Sequence, residues 1–435
     1  MKYKIKKRFT WFILLALITL FSIQSLSLPE ISSKVDDFSL SVPSLSAQDT
    51  FWPGNSSEWT EVAPETQGLN SGKISEILEF IENNSTNIQS IIIVRNGYLL
   101  FEEYLWNYQI YRNLAGEKEY PGGRKIVPQY SGTKSVISLL IGIALQEGFL
   151  DNVNQTLYEF YSDIWEPSFT NSTLKKNITI EHLLTMTSGY SAHPYYPPDA
   201  DTKFKADCIR FILDEVPLGF TPGEAGEFTY SNEGVDLLSG IITNVTGKST
   251  EEFAKEYLFT PLGFSEDEYY WLNDSKGIDY GGSGFECSPK GQARLGILAL
   301  NNGTWNGTQI VEPNFFKNST TTKNFDNEKN IFGYGYLWWI MNGSLNGYYA
   351  AGAGGQNIYI IPEYNIIVGF NGAAMGDDGI YEHIISDYIL KNIVDPPEIP
   401  EDPMIPGFSL NMLFLTIFCT VVIVIVKRRK SSKKY

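Results

Sequence analysis

The amino-acid sequence predicts an α+β fold, in which an antiparallel sheet is flanked by helices and interrupted by an inserted helical subdomain at about residues 135–280. Two observations predict this fold. β-Hairpin patterns occur near both ends of the central part of the chain, and helical patterns fill the sequence between them. A third observation, a long uncharged run near the C-terminus, adds a transmembrane helix.

One β-hairpin is predicted near each end of this central part. Asn96-Gly97 joins two apolar segments, and this dipeptide accepts the positive φ angles of a tight hairpin turn. Glu363-Tyr364 separates two further apolar segments. The four segments are residues 90–95, 98–105, 357–362 and 365–370. Because all four are typical of strands, we expect both hairpins to contribute to one antiparallel sheet.

Helical patterns dominate the intervening sequence from Ser131 to Phe264. The predicted helices include residues 135–147, 180–186, 208–214 and 234–245. The whole predicted domain spans residues 63–395, with strands at its ends and helices in its middle. This arrangement predicts a cleft where the two layers meet. We expect loops 195–204 and 269–280 to line that cleft.

The composition excludes several classes of function. The formal net charge of -17 and the pI near 4.7 argue against a nucleic-acid partner, because phosphate binding needs clustered Lys and Arg. The cysteines and histidines lack the spacing of metal ligands, so we expect neither a metal nor another cofactor. Cys208 and Cys287 form either a disulfide or two unpaired buried thiols, and the sequence leaves both alternatives open.

Both ends of the chain predict membrane targeting. Residues 1–27 combine a basic start with an apolar run, which is typical of a signal peptide or an uncleaved signal anchor, and residues 28–62 form a spacer. Residues 408–426 carry no charge and are long enough to cross a hydrocarbon core about 30 Å thick. The proline-rich residues 396–407 predict an extended stalk before this helix.

The basic tail, residues 427–435, predicts the orientation of the chain. Positive charge marks the cytoplasmic end of a transmembrane helix, so we expect a single-pass cell-membrane protein whose domain is extracytoplasmic and whose helix contacts the lipid bilayer. N-x-[ST] acceptor sequences predict a glycoprotein that is modified at some of these sites only. They begin at Asn55, Asn83, Asn84, Asn154, Asn171, Asn177, Asn244, Asn273, Asn302, Asn306, Asn318 and Asn342.

Ser131 and Lys134 are the predicted nucleophile and general base. They open an apolar helical run, and because residues three apart lie on one helix face, the lysine amine is expected beside the serine hydroxyl. A lysine desolvated by apolar neighbours loses proton affinity and can accept the serine proton. The S-x-x-K pattern is weak by itself, since a serine that caps a helix before a surface lysine has the same spacing.

Two further segments complete the predicted site. Tyr230 and Asn232 precede a predicted helix. A tyrosine whose phenolate is favoured by a nearby ammonium can pass a proton to the leaving group, and an asparagine amide can orient Lys134 or hold the substrate carbonyl. Small residues around Gly352 and Ala353 lead into a strand, where a backbone N–H could join that of the nucleophile as an oxyanion hole.

These segments resemble the serine β-lactamase-like hydrolases, which are related to class C β-lactamases, penicillin-binding proteins, D-alanyl-D-alanine carboxypeptidases and esterases. The resemblance also rests on segments 178–189, 221–224, 261–263 and 334–339, and it spans roughly residues 65–393. It implies the β-lactamase-like fold and an acyl-enzyme formed by Ser131, with Lys134 and Tyr230 moving protons. It also implies that His182 is structural and is not part of a catalytic triad.

One departure from this family bears on the substrate. Ala350 stands where the penicillin-binding relatives carry Lys or His, a cation that helps to bind the carboxylate of a β-lactam or peptide. Its absence predicts weak or no β-lactamase activity and favours an esterase or amidase acting on a small-molecule or peptide-like substrate. The alternative function is a catalytically inactive, surface-displayed binding or sensor module of the same fold.

Overall fold

The computed structural model describes residues 52–53, 59–84, 86–105, 126–190, 200–325, 332–341, 345–372 and 378–394. All of them belong to one compact unit, Thr50–Tyr435. The predicted signal segment, stalk, transmembrane helix and basic tail lie outside these residues, as does most of the spacer. Within the described ranges, no helix is long and apolar enough to cross a bilayer.

The strands of this part of the chain form a large antiparallel sheet and two small ones. They are β1 (Ile88–Arg95), β2 (Tyr98–Tyr104), β3 (Val127–Pro128), β4 (Tyr269–Trp271), β5 (Phe285–Cys287), β6 (Thr304–Trp305), β7 (Thr308–Gln309), β8 (Asn324–Phe325), β9 (Phe332–Tyr334), β10 (Trp339–Met341), β11 (Gly347–Gly352), β12 (Gln356–Ile361) and β13 (Ile366–Gly372). The large sheet has the order β2-β1-β13-β12-β11-β10-β9-β8, and β3-β5-β4 and β6-β7 form the small sheets.

The helices occupy both faces of the large sheet and most of the chain between β3 and β8. They are α1 (Ser71–Asn83), α2 (Thr133–Gln146), α3 (Leu157–Tyr161), α4 (Ser172–Lys175), α5 (Ile180–Leu184), α6 (Ala200–Ala206), α7 (Cys208–Asp214), α8 (Glu233–Thr246), α9 (Thr250–Ala254), α10 (Pro289–Leu300), α11 (Pro313–Ser319) and α12 (Asp378–His383). The α+β architecture predicted from the alternation of strand and helix patterns is therefore confirmed.

Both predicted hairpins are present and lie in the large sheet. Asn96 and Gly97 have φ angles of 53° and 80°, the left-handed conformations that a tight turn between right-twisted strands requires. β1 pairs with β2 on one side and with β13 on the other, so segments from the two ends of the domain are neighbours in the sheet.

The two faces of the sheet bury separate apolar cores. On one face α1 packs through Ile74, Ile77 and Ile81 in a cluster that includes residues of α12 and of the π-helix that follows it, Ile384–Ile389. On the other face α10 packs against β1, β12 and β13. The larger core on this second face also contains α2 and α8.

Helix α2 is the central element of the larger core. Its sequence is apolar around the whole helix, a pattern typical of a helix that is enclosed on all sides. Residues 133–144 are all buried, and α2 packs against α8 and α11. The nucleophile predicted at the start of this helix, Ser131, therefore directly precedes an element that is enclosed on all sides.

The structure decides one alternative that the sequence left open and modifies the expectation for the two predicted loops. Cys208 and Cys287 are buried free thiols, which decides the alternative that the sequence left open. The segment 269–280 does not consist of a loop throughout, because it begins with β4, in which Trp271 is 1% exposed and packs in the core. Of the other predicted loop, the structure describes residues 200–204 as part of α6.

Candidate active site

Ser131 lies in a 3-10 turn, Tyr130–Gly132, that runs directly into α2. The turn is fixed to β5, because the backbone N–H of Gln129 donates to the Phe285 carbonyl at 2.8 Å. Tyr130 has a φ of 45°, an unfavourable conformation for an aromatic residue, and such strain is found most often at functional sites. Ser131 itself is partly exposed.

Lys134 lies on the same side of this helix start as Ser131, as the spacing of three residues predicts. Its Nζ is 3.3 Å from Ser131 Oγ, 2.6 Å from Asn232 Oδ1 and 2.7 Å from the carbonyl oxygen of Gly282. The residue is 1% exposed. The amine is therefore held in one orientation by two acceptors, with the serine hydroxyl as its third contact.

Burial lowers the proton affinity of Lys134 into the range in which its amine can act as a base near neutral pH. Loss of hydration lowers the pKa of its amine to about 8, while the nearby Asp236 and Glu233 carboxylates raise it in part. At pH 7 about one amine in ten is then neutral, compared with fewer than about one in a thousand for an exposed lysine. A neutral amine within reach of a serine hydroxyl can accept its proton.

Tyr230 completes a cluster of three proton-carrying groups. Its hydroxyl is hydrogen-bonded to Ser131, and its ring lies 4.7 Å from the Lys134 amine. Burial raises the pKa of Tyr230 to about 12, and the hydrogen bond with Ser131 only partly opposes this. Tyr230 is therefore a neutral phenol at neutral pH. The neutral phenol is a proton donor at neutral pH.

An aromatic wall fixes the Tyr230 ring. Trp339 on β10 stacks on it with ring centres 5.8 Å apart and an angle of 24°. Tyr334 meets both rings edge-on. This wall links the segment that carries Tyr230 to strands β9 and β10 of the large sheet.

The strand β11 approaches the nucleophile turn at Gly352. A Cβ atom built on Gly352 would lie 2.0 Å from the Gln129 carbonyl oxygen, so only glycine permits this packing. Ala353 follows at the exposed turn between β11 and β12. Ala350 is 6% exposed and lines the same small interior cavity as Gly132 and Gln129. The structure thus brings the three predicted segments together, and it leaves the Ala350 position without a charge.

His182 takes part in helix capping. Its Nδ1 accepts a hydrogen bond from the backbone N–H of Thr179, and the Thr179 hydroxyl accepts one from the backbone N–H of His182. Gly223 packs against the other side of the ring, where a Cβ atom would lie 2.6 Å from Nε2. These contacts match the structural role that the family resemblance implies.

Three contributions to the site were not predicted from the sequence. Gly282 supplies the carbonyl that orients Lys134, Asp236 and Glu233 supply buried charge, and Trp339 stacks on the tyrosine. In the sequence, the only sign of the Gly282 contribution was the adjacent pair Gly281-Gly282, and such pairs are too common to be informative. Among the residues that the structure describes, no cluster of His, Cys, Asp or Glu is arranged to hold a metal.

Comparison with known families identifies the class of this protein. The β-lactamase family model matches residues 89–380, which is most of the chain. The chain therefore belongs to the β-lactamase family, whose β-lactamase-like members are serine hydrolases that include amidases and carboxylesterases.

Individual relatives are distant. The chain is 22% identical over 254 residues to the 6-aminohexanoate-dimer hydrolase of Paenarthrobacter ureafaciens, a match that covers 55% of this chain and 64% of that one. It is 24% identical over 329 residues to an uncharacterised protein of Alkalihalophilus pseudofirmus, covering 69% and 86%.

Solved structures share the fold. A family VIII carboxylesterase has a TM-score of 0.57 at 15% identity, covering 76% of this chain and 98% of that one. A penicillin-binding protein homologue from Pyrococcus abyssi has a TM-score of 0.53 at 20% identity, covering 72% and 76%. At these identities the likeness shows the fold alone.

Proposed function

We propose that this protein is a membrane-anchored, extracytoplasmic serine hydrolase that acts on an ester or amide through an acyl-enzyme. The observation that carries this proposal is the contact of the buried Lys134 amine with the Ser131 hydroxyl at 3.3 Å, beside the Tyr230 phenol. Nucleophile, base and acid are the three groups that acyl transfer requires.

Acylation begins when neutral Lys134 accepts the proton of Ser131, whose Oγ attacks the substrate carbonyl. The carbonyl oxygen becomes negatively charged, and the backbone N–H groups of Ser131 and of the Ala353 turn stabilise it. Tyr230, a neutral phenol in contact with Ser131, donates a proton to the leaving group as the carbonyl re-forms. The lysine ammonium returns a proton to the phenolate, and the ester of Ser131 remains.

Deacylation repeats the sequence with water as the nucleophile. The same base removes a proton from water, which attacks the acyl carbonyl, and Ser131 leaves with a proton. Asn232, which accepts a hydrogen bond from the Lys134 amine at 2.6 Å, keeps the base oriented through both steps.

The substrate class follows from the charge near β11. A substrate carboxylate gains most from a fixed cation, and Ala350 offers none. We therefore infer a substrate that is neutral at this end, such as a simple ester or a secondary amide. Hydrolysis of a chromogenic cephalosporin should be feeble, and rapid turnover of that compound would contradict this inference.

The membrane anchor is supported by the sequence. Residues 408–426 are uncharged, and the basic residues that follow predict a cytoplasmic tail. Expressed in its own cells, the protein should stay in the pellet after alkaline carbonate extraction, and protease added to intact cells should remove the domain. Release by carbonate, or full protection from protease, would refute this topology.

Hydrolysis of p-nitrophenyl butyrate tests the enzymatic part of the proposal. The full chain in detergent should release p-nitrophenol, and Ser131→Ala should abolish this activity. Thr133→Ser, which keeps a hydroxyl at the first residue of α2, two positions after Ser131, is the matched control for a local disturbance. Equal activity in wild type and Ser131→Ala would refute the assignment, and inactivity of both would favour the binding or sensor module.

A further inference from the structure

A buried carboxylate lies on α8, four residues after Asn232. Asp236 is 2% exposed and accepts a hydrogen bond from the backbone N–H of Gly282 at 2.8 Å. The backbone of Gly281 hydrogen-bonds to it as well. Removing a carboxylate from water is unfavourable unless charges and hydrogen bonds compensate. The groups that hydrogen-bond to Asp236 therefore indicate its role.

These partners connect Asp236 to the predicted base. Gly282, whose N–H donates to Asp236, is also the residue whose carbonyl oxygen accepts a hydrogen bond from Lys134 Nζ at 2.7 Å. The carboxylate thus fixes the turn on one side, and the amine is oriented by that turn on the other. Lys134 and Gly282 are 148 residues apart in the chain, so their contact depends on where the turn is held.

The turn fits against α8 because it consists of two glycines. A Cβ atom on Gly281 would lie 2.4 Å from the Val235 carbonyl oxygen, and one on Gly282 would lie 2.7 Å from the Cβ atom of Asn232. Side chains on the turn would force it away from the helix. The close approach brings the backbone N–H groups within reach of Asp236.

Among the residues that the structure describes, few charged or titratable groups surround Lys134 and Asp236. Asp236 and Glu233 on α8 act on the Lys134 amine, and the Tyr230 phenol and Ser131 hydroxyl face it from the nucleophile side. Asp236 itself faces Glu233, Lys134 and the Cys208 thiol of α7. Burial raises the pKa of Asp236 to about 7, and the Lys134 ammonium lowers it in part. Reciprocally, the Asp236 carboxylate raises the pKa of Lys134.

We propose that Asp236 is a positioning residue for Lys134. Through the Gly281–Gly282 turn it holds the carbonyl that orients the amine, and its charge sets the pH range in which that amine accepts the Ser131 proton. This proposal rests on the proposed function, because it assigns a part in activating the same nucleophile. Asp236 does not touch the reacting atoms.

Asp236→Asn and Asp279→Asn test it as a matched pair. Both variants neutralise a buried carboxylate, since Asp279 is 1% exposed and accepts a hydrogen bond from the Glu251 backbone N–H at 2.7 Å. Two pH profiles are measured between pH 5.5 and 9 on the full chain: kcat/KM for p-nitrophenyl butyrate, and the rate of Ser131 labelling by a fluorophosphonate. Thermal unfolding reports whether each variant folds.

The expected result is a shift of the ascending limb to lower pH in Asp236→Asn alone. Removal of the opposite charge should move it by about one pH unit, the lower end of what a nearby charge produces. An unmoved limb, an equal shift in Asp279→Asn, or failure of Asp236→Asn to fold while Asp279→Asn folds would each overturn the positioning role.

The two readouts separate this proposal from the proposed function. Ester hydrolysis requires turnover, whereas labelling requires only an activated Ser131. A wild-type chain that labels but does not hydrolyse the ester would refute the hydrolase while the labelling profiles still decide on Asp236. A wild-type chain that neither hydrolyses nor labels would refute both.

Discussion

Two buried lysines, Lys134 and Lys175, have almost the same burial and different surroundings. Lys134 is 1% exposed and Lys175 is fully buried, and burial lowers the pKa of the first to about 8 and of the second to about 7. Each amine lies over a tyrosine ring, Tyr230 for Lys134 and Tyr190 for Lys175, and Lys134 also contacts the Ser131 hydroxyl. Lys175 instead donates to the carbonyls of Ile212 and Leu213 in the last turn of α7.

This difference shows that a lowered pKa does not by itself identify a catalytic base. The amine of Lys175 satisfies carbonyls that a helix leaves unpaired at its C-terminal end, which is a structural task. The amine of Lys134 instead lies beside the Ser131 hydroxyl, whose proton it can accept, and its orientation is fixed by Asn232 and Gly282. Function is therefore expected at Lys134 alone.

The largest effect is expected from removing each amine in turn. Lys134→Met should lower kcat/KM for p-nitrophenyl butyrate by about 10³-fold or more, because Ser131 loses its proton acceptor. Lys175→Met should leave the activity of the folded protein far less affected. A comparable loss in both variants, measured at equal folded fraction by circular dichroism, would contradict the distinction.

A smaller loss is expected at the phenol beside Ser131. Tyr230→Phe keeps the stacked ring on Trp339 and removes only the hydroxyl, so the fold should persist while kcat falls by about 10²-fold. Tyr334→Phe removes a hydroxyl from the same aromatic wall and serves as the control. If the two variants lose activity equally, Tyr230 is a packing residue.

The pH dependence of activity sharpens the comparison further. Lys134 acts as a neutral amine, so kcat/KM should rise with pH up to about 8 and fall about tenfold for each unit below the midpoint. The pKa of Tyr230, raised to about 12, lies above the measured range. The midpoint of this rise in kcat/KM should be unchanged in Lys175→Met. A flat profile from pH 6 to 9 would exclude Lys134 as the base.

The burial of Lys175 should affect how protein stability depends on pH. Its pKa is lowered on folding, so the unfolded state binds more protons and the free energy of unfolding rises with pH between about 7 and 10. The free energy of unfolding of the wild type, measured relative to that of Lys175→Met, should rise by about 2 kcal/mol from pH 7 to 9. Urea unfolding at each pH measures it, with Lys176→Met as the neighbouring control. A difference that does not change with pH would contradict the burial of a neutral amine.

Local patterns predicted the elements of this fold well. The turn at Asn96-Gly97 and the helix 208–214 follow from residue preferences that act over a few positions, and the structure contains both. The pairing of Ser131 with Lys134 also follows from helical spacing. Adding Tyr230 and Asn232 to that pair required the family resemblance, because no local rule joins segments 98 residues apart.

The remaining parts of the site depend on long-range packing. Asp236 reads in the sequence as an ordinary helix residue, and only the approach of Gly281 and Gly282 to α8 makes it a partner of the site. The raised pKa of Tyr230 has the same origin, since the extent of its burial depends on the surrounding fold. The free thiols of Cys208 and Cys287 were likewise decided by tertiary structure.

Covalent labelling of the nucleophile tests the central claim most directly. The full chain is incubated with a fluorophosphonate, and the labelled peptide is identified by mass spectrometry. We predict one adduct per chain on Ser131, formed faster as the pH rises towards 8, absent in Ser131→Ala and strongly slowed in Lys134→Met but not in Lys175→Met. Labelling of a different residue, or equal rates in the two lysine variants, would contradict the account.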